Sequence, residues 1–146
     1  MSRSGYSDDC NGWDLICWRG AVASALNGKR GQSFLVELRD TLEAMPVKRL
    51  VADTLEADGE FCALGVLGAK RGLDMTPIDA HCRESVSAAF NIAQAMAAEI
   101  VFENDERMGQ YENVDGVSKF VEETPEKRWL RMHRWVVSNI KSEVAA

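Results

Sequence analysis

The chain reads as a mainly α-helical, compact domain of about five helices with one small β-hairpin, and three observations carry that reading. Apolar residues recur at three- and four-residue spacing over most of the length. Helix starts and stops, such as Gly28, Pro46, Gly72 and Thr124-Pro125, fall between those periodic stretches. Around Asp58-Gly59 the period changes, and that dipeptide is the strongest short signal of a two-residue hairpin turn. At 146 residues the chain suits a single domain, 1–146, which buries enough surface to fold without a metal or disulfide staple.

Residues 1–12 are polar and turn-rich and carry an Asp8-Asp9 pair. Asn11 or Asp14 can cap the helix that follows, because a short side-chain oxygen satisfies an orphan helix N–H. From Trp13 to Asn27 one stripe holds Trp13, Ile16, Cys17 and Gly20, and another holds Leu15, Trp18, Val22 and Leu26. A helix apolar on two sides is expected at the centre of a fold. Gly28 stops it, and the link Gly28 to Gln32 leads antiparallel into a second helix, Ser33 to Met45. That helix is apolar along Phe34, Leu35, Leu38, Leu42 and Met45, pairs Arg39 with Glu43 at i,i+4, and ends at Pro46.

Leu50 to Ala57 and Glu60 to Ala63 are the expected arms of the hairpin, about 50–63, running into a short apolar helix from Leu64 to Arg71. The longest helix is expected from Glu84 to Phe102, striped by Val86, Ala89, Phe90, Ala93, Ala97, Ile100 and Val101, with small residues opposite. It is the expected core of the fold. Residues 103–123 read as an acidic surface loop, with Val114, Val117, Phe120 and Val121 as a short helical turn within it. Thr124-Pro125-Glu126 opens the last helix with a cap, an N1 proline and a carboxylate on the positive helix end, and the helix buries Trp129, Met132, Val136 and Ile140.

The net charge is −6, so the chain as a whole gains nothing from the phosphate field of nucleic acid. No apolar run approaches the roughly 20 residues that cross a bilayer, and the first twelve residues lack a secretory core, which points to the cytosol. In that compartment Cys10, Cys17, Cys62 and Cys82 read as small hydrophobes, with Cys17 and Cys62 expected in the core. No C-x-x-C is present and the only histidines are His81 and His133, so neither a metal site nor a cofactor is expected. Phosphate-loop, nucleophile-elbow and H-E-x-x-H motifs are absent, and the chain is expected not to be an enzyme.

The runs SGYSDD, WRGAVASALNGKRGQSFL, AMPVKRL, LEADGEFCALG and EIVFENDE resemble a group of small phage and prophage accessory proteins. The likeness spans most of the chain and implies an accessory role in an infected host cell without implying a chemistry. Asp58-Gly59 through Gly65, followed by Asn104-Asp105 and a Thr-initiated helix, is similar to a bacterial family with the same order of hairpin, helix, Asn-Asp loop and helix.

Four groups of residues are candidates for function. Tyr6, Asp8 and Asp9 set an aromatic beside carboxylates, the make-up of an interface anchor. Nine carboxylates fall between Glu99 and Glu126, with Glu106, Glu112 and Asp115 at their centre; they make either a nucleic-acid-like patch for a basic groove or a solvated loop. Arg131 and Arg134 share a helix face with Lys127, as a stripe for an acidic partner or as an ordinary charged face. Lys29 and Arg30 are anion-binding candidates. The expectation is a phage-encoded accessory protein that binds a host protein, of the host-takeover or anti-defence type. The alternatives are a small enzyme or ligand-binding domain built on an Asn104-Asp105 loop, and a component of the virion or its assembly.

Overall fold

The computed structural model describes Ser4 and residues 12–106 and 109–141, so Tyr6, Asp8, Asp9 and Cys10 lie outside the described residues. Among the described residues, six helices and two separate two-stranded antiparallel sheets follow in the order α1 Gly12–Asn27, α2 Lys29–Glu43, β1 Glu56–Ala57, β2 Glu60–Phe61, α3 Ala63–Lys70, α4 Arg83–Phe90, α5 Gln94–Asp105, β3 Gly109–Val114, β4 Val117–Glu122 and α6 Pro125–Asn139. The protein is mainly α, as the periodicity predicts.

Only Gly28 separates α1 from α2, so the second helix starts four residues before the expected Ser33. Gly31 makes this sharp reversal possible: a Cβ there would stand 1.9 Å from the carbonyl oxygen of Ala25. Gln32 then closes the corner, its side-chain amide donating to the carbonyls of Leu26 at 2.7 Å and Asn139 at 2.9 Å. Phe34, Leu35, Leu38 and Leu42 are buried as their spacing requires. Arg39 pairs with Asp40 at 3.0 Å rather than with Glu43, whose carboxylate meets His133 at 2.9 Å.

The structure corrects the expectation that α1 is central. Its neighbours α2 and α5 cover one side only, where Val22 and Leu26 are buried and Trp18 and Ala25 half-buried. Leu15, Ile16, Cys17 and Gly20 face out. Cys17 is therefore exposed, against expectation, while Cys62 is buried and accepts a hydrogen bond from the Gly65 N–H at 3.4 Å as the cap of α3.

Asp58 (φ 52°) and Gly59 (φ 78°) form the expected left-handed turn, though the strands on either side are only two residues long. The expected 84–102 helix is two helices bent by 105°. Asn91 ends α4 in the left-handed conformation (φ 56°) that asparagine tolerates, and Ile92 is driven into the core at the corner. Beyond it α5 is the true centre, buried nearly all round and packed on α1, α3, α4 and α6. No single helix among the described residues is long and apolar enough to cross a membrane.

Candidate functional site

The chain between α5 and α6 departs most from the reading of its sequence. Residues 109–122 form an antiparallel ribbon pairing Gly109 with Glu122, Tyr111 with Phe120, Glu112 with Lys119 and Val114 with Val117. Neither an irregular loop nor a helical turn is present there. Asp115 (φ 54°) and Gly116 (φ 78°) supply the two positive φ values of a type I′ turn, whose twist matches that of the strands it joins. The ribbon packs mainly on itself, and every residue from Tyr111 to Phe120 is exposed. Tyr111 and Phe120 cross edge to face, ring centres 5.5 Å apart, with Tyr111 74% exposed. Val114 and Val117 flank the turn on the opposite face and are exposed too.

Both ends of the ribbon are clamped to the body by a buried polar network. Asn104 and Asp105 occupy the last turn of α5, not a loop, and are 1% and 2% exposed. The Asn104 amide accepts from the Ala63 N–H at 3.1 Å and donates to the Val51 carbonyl at 2.9 Å and to Asp105 at 2.8 Å. Asp105 also accepts from the Asp53 N–H at 3.2 Å. Arg128, likewise buried, donates to the carbonyls of Asn104 at 3.1 Å and Leu50 at 3.2 Å. Arg131 forks onto the Glu123 carboxylate and also donates to the Glu103 and Asn104 carbonyls. These helix-end carbonyls would otherwise lack partners, so the network ends α5 and orients the chain leaving it.

Comparison with protein-family models, with curated proteins and with solved structures finds no match. What the site can do follows from its geometry.

That geometry divides the sequence candidates. The nine carboxylates do not make one surface. Glu99, Glu103 and Asp105 are buried, with Glu99 paired to Arg19 at 2.6 Å. Glu106 is half-buried and accepts a hydrogen bond from the Ser4 hydroxyl. Glu123 is held by Arg131 and Arg128, and Glu126 stands 3.3 Å from Arg49. Glu112, Asp115 and Glu122 remain exposed on the ribbon. Arg131 turns inward onto Glu123, its side chain 22% exposed, while Arg134 and Lys127 face out without it.

Lys29 and Arg30 are exposed at the start of α2, lining a cleft of about 200 Å³ shared with Ile92, Ala93 and Met96. A larger cleft of about 450 Å³ lies between the β1–β2 hairpin and the 73–80 loop, lined by Leu73, Met75 and Ile78 with Glu56, Asp58 and Asp74. No group of three or more metal-ligating side chains comes together among the described residues. Sequence reasoning overlooked Tyr111 and the ribbon around it. The signal was present: Asp115-Gly116 repeats the dipeptide that marks the first hairpin.

Proposed function

We propose that this chain is a phage-encoded accessory protein that binds a host protein in the cytosol through the β3–β4 ribbon. The carrying observation is the exposure of Tyr111, Val114, Val117 and Phe120 on an arm that the body clamps at its base and leaves uncovered along its length. Exposed aromatic residues supply large contact area at small entropic cost and are the usual anchors of protein interfaces. Two-stranded ribbons are marginal on their own, so a partner that covers one is stabilising as well as recognised. The resemblance of the N-terminal and central runs to phage and prophage proteins supports the host-cell setting.

The test is affinity capture from host lysate with wild-type protein and with the double variant Tyr111→Ser, Phe120→Ser, followed by identification of the captured protein and direct binding. Both residues are exposed, so the variant keeps its helical circular dichroism and loses capture. A specific partner retained at undiminished affinity by the double variant would refute the ribbon as the binding surface.

A further inference from the structure

We propose that the solvent side of α6 is a second docking surface, which takes an acidic amphipathic helix of a partner protein. It is separate from the ribbon and does not depend on what the ribbon binds.

The two sides of α6 differ in composition and in what covers them. Arg128, Trp129, Met132 and Val136 are buried and fix the helix against α2 and α5. On the opposite side Lys127, Leu130, Arg134 and Val137 face solvent, with Leu130 56% and Val137 43% exposed. At about 100° per residue these four fall within an arc of about 80°, so they form one line along about three turns of helix. Their spacing is three, four and three residues, which sets a cation and then an aliphatic side chain and repeats both after seven. Seven residues is the repeat at which a second helix, lying alongside, keeps the same line in contact. Arg131 lies off this line and is turned onto Glu123.

Charge sets the occupant. Arg19, Arg39, Arg49, Arg71, Arg128 and Arg131 are each paired with a carboxylate of this chain. No described group pairs with the side chains of Lys127 and Arg134. Glu126, next to Lys127 in sequence, stands against Arg49 instead. A helix lying along α6 therefore offers carboxylates opposite Lys127 and Arg134, and aliphatic side chains opposite Leu130 and Val137. A second copy of α6 does not fit, because its cations would meet cations or aliphatic side chains and find no counter-charge. The ribbon of a second copy is acidic but extended, and its side chains alternate with a period of two rather than seven. Nucleic acid is repelled by a net charge of −6, and its phosphates would leave Leu130 and Val137 uncovered. The contact is small, so the complex is transient.

The probe is a synthetic three-heptad peptide with glutamate and leucine at the same three-four spacing and alanine and glutamine elsewhere. It is titrated against the full chain by calorimetry, and its glutamates keep it from pairing with itself. Two peptides accompany it, one of the same composition with the spacing scrambled and one with lysine in place of glutamate. The protein variants are the doubles Lys127→Glu, Arg134→Glu and Leu130→Ser, Val137→Ser. All four positions are exposed, so both variants should keep the helical circular dichroism of the wild type. Wild type should bind the glutamate peptide, less tightly as salt rises, and each double variant should bind it about tenfold more weakly or worse. The charge-reversed variant should take the lysine peptide instead. The Tyr111→Ser, Phe120→Ser variant should bind the glutamate peptide as wild type does.

Failure of wild type to bind the glutamate peptide overturns the proposal. Equal binding of the scrambled peptide overturns the helical repeat, and undiminished binding by the charge-reversed variant overturns the part given to Lys127 and Arg134. Loss of binding in the Tyr111 and Phe120 variant moves the peptide to the ribbon and overturns the assignment to α6. A dimer of the chain alone that sedimentation detects and Leu130→Ser, Val137→Ser dissociates gives the face to a second copy. Duplex DNA bound by wild type and lost with Arg134→Glu gives it to nucleic acid. Either of these results also overturns the proposal.

Discussion

Arg131 holds Glu123 through two parallel hydrogen bonds, Nε to Oε2 at 2.7 Å and Nη2 to Oε1 at 2.8 Å. The same guanidinium reaches the Asn104 carbonyl at 3.4 Å, so one side chain joins the end of β4 to the end of α5. The ribbon leaves the body between these two points, and its direction is set by a residue that sequence reasoning placed on the surface.

Removing that clamp should loosen the arm and weaken the fold. Arg131→Ala leaves Glu123, whose side chain is 9% exposed, with only Arg128 at 3.5 Å, and should cost about 2 kcal/mol in urea denaturation. Arg131→Lys restores the charge but not the planar fork and should recover less than half of the loss. A cost below about 0.5 kcal/mol for the alanine variant would show that the clamp is ornamental.

Asn104 is the most connected buried amide of the network. Asn104→Ala strands the Ala63 N–H and the Val51 carbonyl and should destabilise by about 2–4 kcal/mol. Asn104→Asp is nearly isosteric, yet it sets a carboxylate oxygen against the Val51 carbonyl and the Asp105 carboxylate. It should be at least as damaging at pH 7 as the alanine change. The order reverses only if the acid is protonated, so repeating the unfolding at lower pH separates charge from shape.

Three helical glycines should respond to alanine with different signs. Gly20 has open space around the site of a Cβ, so Gly20→Ala should stabilise by about 0.5–1 kcal/mol through helix propensity. At Gly31 and Gly65 a Cβ would stand 1.9 Å from the carbonyl oxygens of Ala25 and Leu55, both backbone atoms. Overlap of that depth outweighs propensity, and each change should cost about 2 kcal/mol or more. Thermal melts of the three variants decide the point, and stabilisation by Gly31→Ala would contradict the tight α1–α2 corner.

Acid should weaken the tie between α2 and α3. The Glu37 carboxyl is held below its usual 4.5 chiefly by hydrogen bonding to Arg71, which donates to it at 2.9 Å and 2.6 Å. A carboxylate with a depressed folded-state pKa contributes stability in full above the unfolded-state value and loses it as pH falls through the folded-state value. The urea midpoints of wild type and Glu37→Gln should therefore differ at neutral pH and converge as pH falls below 4.5. A constant gap over that window would rule the pair out as an acid-sensitive contact.

Local chemistry makes several elements legible in the residues themselves. Thr124 caps α6 by accepting from the Lys127 N–H at 3.2 Å, with Pro125 behind it, and both roles follow from side chains acting within one turn. Asp58-Gly59 turns because both residues take left-handed φ values at small cost. The apolar face of α2 is buried because its spacing admits no other packing.

Long-range contacts decided the rest. A helical period continues through residues 84–102, but α4 and α5 part at Asn91 because burying Ile92 at the corner favours a bend that the pattern cannot express. Both stripes of α1 are apolar in sequence, and only the placement of α2 and α5 selects the one that is covered. Nine carboxylates in one stretch look like one charged surface, until Arg19, Arg128 and Arg131 reach across the fold to Glu99 and Glu123. By itself the sequence determined the fold class, the Thr124-Pro125 start of α6, the first hairpin turn and the apolar face of α2, because these depend on neighbours within a turn or two. The corner between α4 and α5 and the inward Arg131 were decided by tertiary structure, because burial and charge pairing join residues that local pattern leaves unrelated.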